Sequence, residues 1–287
     1  MGLFWLAGCN RPASESATDA LPESAVPVAV ESPVQPEPPP TPTSTPATLS
    51  LPAVSIEDGD RARFYGDWES ALLAYSNAYQ NNAAAELRSA ALLGMARTYY
   101  HQAEYQAALD TLQLLFNDYP NAAEIPAGRI TSALVYEAIE EYFLAAEAYR
   151  AYLDIRPGLI DSYINDWRGD ALVAAGDLVG AISAYQAALS APRLGDTLPI
   201  EQKIANVYYF QGDYNTAVVA YQDIYNRTNN DFTKATLDFL MGQAHTALGQ
   251  TDQANAAYLD AVENYPLSYD TYQALILLVD AGYPVSE

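Results

Sequence analysis

Positive charge is scarce in this sequence. Its 287 residues include 13 Lys and Arg against 36 Asp and Glu, which gives a formal net charge of −23 at pH 7. A surface this acidic repels the phosphates of nucleic acids. We therefore expect no polynucleotide ligand. The excess of carboxylates also keeps a protein soluble, and this simpler explanation is sufficient to account for it.

Residue patterns typical of metal sites and common catalytic sites are also missing. The two histidines, His101 and His245, are solitary, and no Cys or His stands at metal-ligand spacing from them. The sequence has no glycine-rich phosphate loop, no Gly-x-Ser-x-Gly and no His-Glu-x-x-His. Two carboxylate pairs lie four residues apart, Glu137 with Glu141 and Asp166 with Asp170. Among 36 acidic residues such pairs arise by chance, so we predict no cofactor, no metal and no catalytic activity for this chain.

A single cysteine, Cys9, excludes a disulfide within the chain. The run Leu6-Ala7-Gly8-Cys9 resembles the lipobox of bacterial lipoproteins, in which small residues admit the signal peptidase. The resemblance implies a signal over residues 1–9, cleavage before Cys9 and lipid attachment to its sulfur. Secretory signals begin with basic residues, and none precedes Arg11, which an upstream start would explain. The alternative is a chance match around a lone buried cysteine.

Residues 10–55 are dominated by proline, serine and threonine. Eleven of the chain's 18 prolines fall between Pro12 and Pro52. Proline removes a backbone donor and fixes φ, so these residues favour neither helix nor sheet. We predict a disordered, extended linker, with a ligand for a proline-binding domain as the competing interpretation. No later segment has 18 consecutive apolar residues, so no transmembrane helix is predicted after the linker.

A pattern of about 36 residues recurs from residue 56 onwards. Its most regular member is an alanine, at positions 71, 108, 145, 181, 217 and 254, with intervals of 37, 37, 36, 36 and 37 residues. An aromatic or Leu usually stands three residues before this alanine and a Tyr or Leu four residues after it. An upstream helix carries a small residue at a fixed offset: Ala96, Ala133, Gly169, Ala205 and Gly242.

This period indicates two helices per unit, which we call A and B. The small residue lets helix A approach helix B closely, and the aromatic side chains fill the space between units. Gly-Asp pairs such as Gly176-Asp177 predict the turn between A and B, because Gly tolerates the left-handed conformation. Prolines 120, 157 and 266 end helix B in three of the units.

The pattern resembles the tetratricopeptide repeat, whose basic length is about 34 residues. The resemblance implies an all-α, right-handed solenoid with six helix-turn-helix repeats over residues 56–267. Residues 268–287 are expected to form an additional helix that begins a further repeat or caps the solenoid. Its run of apolar residues from Leu275 to Val279 is unusual for a solenoid end, which normally has a polar face.

In tetratricopeptide domains the ligand lies in a concave groove lined by the A helices. The family's groove positions correspond here to Leu93, Arg97, Tyr100 and His101; Ile130, Leu134 and Glu137; Tyr163, Asp166, Asp170 and Val173; Gln202, Asn206, Tyr209 and Phe210; and Phe239, Gln243 and Thr246. With one arginine, this set does not resemble domains that clamp an acidic C-terminus with several Lys and Arg. An extended peptide or a glycan strand is the expected ligand. Packing between repeats is the competing role for each aromatic residue.

Two functions fit these features. The first is a lipid-anchored scaffold at the bacterial cell envelope, outside the cytoplasm, that binds a protein or peptide in its groove. The second follows from a weaker resemblance to the helical N-terminal part of soluble lytic transglycosylases. In that case the chain guides peptidoglycan strands, and a catalytic domain, whose Glu-Ser and Gly-Leu-Met-Gln motifs are missing here, would follow residue 287.

Overall fold

The computed structural model describes residues 55–82 and 84–284, which form thirteen α-helices and no strand. The helices are α1 (Ile56–Phe64), α2 (Trp68–Asn81), α3 (Ala85–His101), α4 (Tyr105–Asp118), α5 (Ile125–Ala138), α6 (Tyr142–Ile155), α7 (Asp161–Ala174), α8 (Leu178–Ser190), α9 (Leu198–Phe210), α10 (Tyr214–Arg227), α11 (Asp231–Ala247), α12 (Thr251–Asn264) and α13 (Tyr269–Asp280). Odd-numbered helices up to α11 are the predicted A helices, and the even-numbered helices are the B helices. The all-α solenoid fold is therefore confirmed for the described residues.

Each repeat is closed by a large B-helix side chain that packs against the small residue of its own A helix. A methyl group built on Gly169 would lie only 2.3 Å from Cε1 of Tyr185, and one on Gly242 would lie 2.3 Å from Cε1 of Tyr258. The first repeat has the same contact between Gly59 and Tyr75. The sequence pattern did not include Gly59, because the pattern was traced only from the second A helix onwards.

The turn from A to B contains a residue with positive φ in all six repeats, but this residue is not always glycine. Gly66, Gly176, Gly212 and Gly249 have positive φ, as predicted. In the second and third repeats Ala103 and Glu140 take this position at φ 60° and 62°. Asp177, which follows Gly176, begins the B helix by accepting a hydrogen bond from the Gly180 N–H. The tight turn is therefore a demand of the fold, which glycine meets with least strain.

The last helix divides its apolar residues between two faces. Ala274 and Leu278 are fully buried against the preceding repeat, whereas Ile276 and Val279 are 36% and 54% exposed. The apolar run predicted at the solenoid end is therefore only partly covered within the described residues.

No described helix is both long and apolar enough to cross a membrane. Cys9, the predicted lipobox and the linker up to residue 54 lie outside the described residues, as do residues 285–287.

The close contact at Gly169 predicts a specific pattern of stability. Gly169→Ala should lower the free energy of unfolding by about 1–3 kcal/mol, because the new methyl group overlaps the Tyr185 ring. The second repeat combines Ala96 with Leu112 in the same positions, so Tyr185→Leu should relieve the overlap. In a double-mutant cycle measured by chemical denaturation, the double variant should be more stable than the sum of the single effects. Additive effects would contradict a steric cause.

Candidate binding groove

Tyrosines of the B helices connect the core to the surface formed by the A helices. Their rings are buried, so their hydroxyl groups require polar partners. Those partners are A-helix residues of the same repeat: Asp60 for Tyr75 (2.7 Å), Glu137 for Tyr149 (3.0 Å), Asp170 for Tyr185 (2.7 Å), Asn206 for Tyr221 (2.8 Å) and Thr246 for Tyr258 (3.3 Å). We call the surface along these A-helix residues the groove. Four predicted groove residues, Glu137, Asp170, Asn206 and Thr246, thus have a structural partner.

The middle of the groove contains an open pocket of about 430 Å³ between α5 and α7. Ile130 and Leu134 form an apolar wall, and Glu137 and Asp170 supply carboxylates. All four were predicted to be groove residues, and all four line this pocket. The pocket therefore combines apolar surface with two carboxylates.

Trp167 also lines this pocket and was not predicted. It is 41% exposed, and its ring centre lies 6.0 Å from that of Tyr149. Trp167 precedes Asp170 by three residues, at a helix position occupied in other repeats by Gly94, Thr131, Lys203 and Leu240. Because this position changes character from repeat to repeat, periodicity gave no signal for it. An exposed tryptophan inside an open pocket is a strong candidate for ligand contact.

The pocket changes the acidity of Glu137. Burial raises the pKa of this carboxyl, the Tyr149 hydroxyl opposes the rise by donating a hydrogen bond, and the charge of Asp170 adds to it. Burial and the neighbouring Glu137 also raise the pKa of the Tyr149 phenol. The Tyr149 hydroxyl therefore remains a hydrogen-bond donor at neutral pH.

The first two repeats make one end of the groove basic. Burial, followed by the charge of Arg63, lowers the pKa of the Arg97 guanidinium, and Arg97 forms no ion pair with a described residue. Arg63 donates a hydrogen bond to the Tyr75 hydroxyl at 3.3 Å. Arg63 was not among the predicted groove residues, because the groove positions were traced only from the second A helix onwards.

Aromatic rings surround this basic end. His101 stacks on Trp68 with ring centres 5.1 Å apart, and Tyr100 lies 5.4 Å from His101. Burial, then the charges of Arg63 and Arg97, lowers the pKa of the His101 imidazole. The neutral ring is thereby favoured in the stack.

The predicted groove residues of the fourth repeat form ion pairs and hydrogen bonds with residues that follow α8. Asp166 forms ion pairs with Arg193 at 3.1 Å and with Lys203 at 2.8 Å. Lys203 also forms an ion pair with Asp170 at 2.6 Å. Burial alone would lower the pKa of Lys203, but its hydrogen bonds to the two carboxylates outweigh this effect and raise it. The Asp166–Asp170 pair is therefore neutralised within the protein.

Tyr163 belongs to the same arrangement. Its hydroxyl donates a hydrogen bond to the carbonyl of Leu194 at 2.9 Å, and the guanidinium of Arg193 lies 4.5 Å from its ring centre. Tyr163 and Asp166 thus anchor residues 191–197, the connection between α8 and α9.

The last two repeats supply aromatic and amide groups. Tyr209 lies 5.2 Å from Tyr214 and 6.0 Å from Phe210, and Phe210 is 61% exposed. Phe239 packs 6.0 Å from Tyr258, and Gln243 is half-buried on the next turn of the same helix. This end therefore carries no ionisable predicted residue other than tyrosine.

A family model described as "Tetratricopeptide repeat" matches residues 90–122 and 237–268. These segments contain α3–α4 and α11–α12, two of the six helix pairs. These two helix pairs are tetratricopeptide repeats, and the other four pairs repeat the same arrangement of A and B helices. No curated protein sequence matches it.

Several solved structures are similar to this chain. PilF of Pseudomonas aeruginosa is 15% identical, with a TM-score of 0.50, and the match covers 77% of this chain and 95% of that one. MamA is 17% identical with a TM-score of 0.48, over 60% of this chain and 95% of that one. A tetratricopeptide repeat protein from Parabacteroides merdae is 16% identical with a TM-score of 0.44, over 78% and 82%. At these identities the likeness to PilF shows the shared fold and nothing further.

The groove of these tetratricopeptide repeats has the means to bind but shows no assembled reactive centre. Within residues 55–82 and 84–284, no three His, Cys, Asp or Glu side chains are grouped so as to hold a metal ion. The groove carboxylates are engaged with tyrosines or with Lys203 and Arg193. The groove therefore offers a ligand an open pocket, apolar and aromatic surface, and the guanidinium of Arg97, which has no ion pair among the described residues.

The anchoring role of Asp166 can be tested with Asp166→Asn. The substitution leaves Arg193 and Lys203 without their shared carboxylate, and it should lower the free energy of unfolding by about 1–3 kcal/mol. Amide hydrogen exchange should accelerate in residues 191–197. Asp223→Asn is the matched control, because its ion pair with Arg227 is exposed and should contribute less than about 1 kcal/mol. Unchanged exchange in 191–197 would show that Asp166 does not hold this connection.

Proposed function

We propose that this protein is a non-catalytic scaffold that binds an extended peptide segment of a partner protein in its groove. The observation that carries the proposal is the central pocket of about 430 Å³, open to solvent and lined by Ile130, Leu134 and the exposed Trp167. Such a pocket suits an apolar side chain, which loses contact with water as it enters.

The charge at the basic end of the groove favours a peptide over a glycan strand. Arg97 has no ion pair within the described residues, so its guanidinium can pair with a carboxylate of a bound peptide. A neutral sugar would leave the half-buried guanidinium of Arg97 without a charged partner, which costs free energy.

We further propose that a lipid on Cys9 holds the scaffold at a bacterial membrane, facing outside the cytoplasm. The support is the sequence Leu6-Ala7-Gly8-Cys9 and the proline-rich linker that follows it. In this arrangement the linker separates the groove from the membrane surface.

Peptide binding can be tested by site-specific photo-crosslinking. A photoreactive phenylalanine analogue is placed at Leu134, inside the pocket, or at Val219, which is exposed on a B helix. Bacterial envelope extract is supplied to the full chain carrying Cys9→Ser, and isolated peptidoglycan sacculi are supplied in parallel. A discrete protein should crosslink from position 134 and not from position 219.

Trp167→Ala should weaken this crosslink at least about tenfold, because it removes an aromatic contact typical of binding hot spots. Phe143→Ala removes an exposed aromatic ring outside the pocket and serves as the matched control. Saturable binding to sacculi that depends on Trp167, without a crosslinked protein, would overturn the peptide proposal in favour of a glycan ligand.

Lipid attachment predicts where the chain fractionates in a bacterial host. The unaltered chain should sediment with membranes and Cys9→Ser should not, whereas Asn10→Ser should behave as the unaltered chain does. Mass spectrometry should find a lipid-modified Cys9 as the mature N-terminus. A membrane-free chain that still begins at Met1 would contradict the anchor without affecting the groove.

A further inference from the structure

A second pocket, of about 300 Å³, lies between α4, α5 and α6. It uses other side chains of α5 than the groove does: Arg129, Ser132 and Tyr136 instead of Ile130, Leu134 and Glu137. Leu109 and Leu144 contribute apolar surface from the two flanking B helices. The pocket is therefore separate from the groove, although both involve α5.

Arg129 is the distinctive side chain of this pocket. Its guanidinium carbon lies 3.9 Å from the centre of the Phe116 ring, which fixes the plane of the group. Its Nε is buried and has no hydrogen-bond partner among the described residues, and it forms no ion pair with them. Burial lowers the pKa of this guanidinium, and the Tyr136 side chain opposes this shift.

The surroundings of Arg129 are basic in an otherwise acidic protein. Arg150, also in the pocket, is paired with Glu147 at 2.7 Å and with Asp154 at 3.1 Å. Arg168 lies close enough to help lower the pKa of Glu147, after the larger effect of Arg150, and its own Nε is buried without a partner. The charged residues that line the pocket are Arg129, Arg150 and Glu147, a net charge of +1 in a chain of formal charge −23.

We propose that this second pocket binds a carboxylate side chain, Asp or Glu, of a partner protein. A guanidinium held against an aromatic ring can donate two parallel hydrogen bonds to a carboxylate through its terminal Nη groups, which have no hydrogen-bond partner among the described residues. The apolar residues Leu109 and Leu144 then contact the side chains next to the bound acid. A carboxylate on a side chain also brings neighbouring apolar groups to this surface, which inorganic phosphate lacks.

The proposal is tested by NMR on the full chain carrying Cys9→Ser, through the Nε–H resonances of its arginines. The probes are acetyl-Gly-Leu-Glu-Leu-Gly-amide, the same peptide with Gln in place of Glu, and inorganic phosphate. The Arg129 resonance, assigned by its loss in Arg129→Lys, should shift saturably with the Glu peptide. Binding of the Gln peptide should be at least about tenfold weaker, since it lacks the charge that strengthens the hydrogen bonds.

Controls separate this pocket from general charge effects and from the groove. The resonance of Arg61, an exposed residue paired with Asp58, should not move. Trp167→Ala should leave the titration of Arg129 unchanged, so failure of the groove proposal does not affect this one. Equal binding of both peptides, a stronger effect of phosphate, or a joint shift of all arginines would each overturn the proposal.

Discussion

In each repeat a large side chain of helix B fills the notch left by a small residue of helix A. Where the small residue is glycine, as at Gly169 beside Tyr185, the ring occupies the space that a methyl group would need. Interiors packed at this density tolerate little change of volume. The distance between the two helices, and hence the position of every A helix in the solenoid, depends on this contact.

The same contact determines part of the chemistry of the groove. A tyrosine that fills the notch carries its hydroxyl to the A-helix surface, where it needs a hydrogen-bond partner. Glu137, Asp170 and Asn206 are those partners. Their presence at groove positions is thus explained by the packing of the repeat, and ligand binding does not have to be invoked for it. Trp167 and Arg97 accept no such hydrogen bond, so the packing of the repeat does not explain them in the same way.

The periodic features of the fold could be predicted from the sequence, because each repeat makes the same contacts. The alanines at 36- or 37-residue intervals and the positive-φ glycines all occupy their expected places. The features that could not be predicted are those that break the period. Lys203 reaches back to Asp166, 37 residues earlier, and Arg193 comes from a connection that no other repeat shares.

A buried carboxyl group was also impossible to predict from the sequence. Asp238 is almost fully buried in α11, and burial, together with the nearby Asp260, raises its pKa to about 8. One of its oxygens has no hydrogen-bond partner among the described residues, which agrees with a protonated carboxyl at neutral pH. Neither the repeat pattern nor composition distinguishes such an aspartate from the many exposed ones.

Helix α5 contributes side chains to both candidate surfaces. Residues three or four apart share a helix face, so Ile130, Leu134 and Glu137 line the groove while Arg129 and Tyr136 face the second pocket. Ala133, fully buried, packs in the core with Tyr149 and holds the helix in place between them. Because the two pockets have no residue in common, a peptide in the groove leaves the guanidinium of Arg129 accessible. The two proposed surfaces therefore do not compete for side chains of α5.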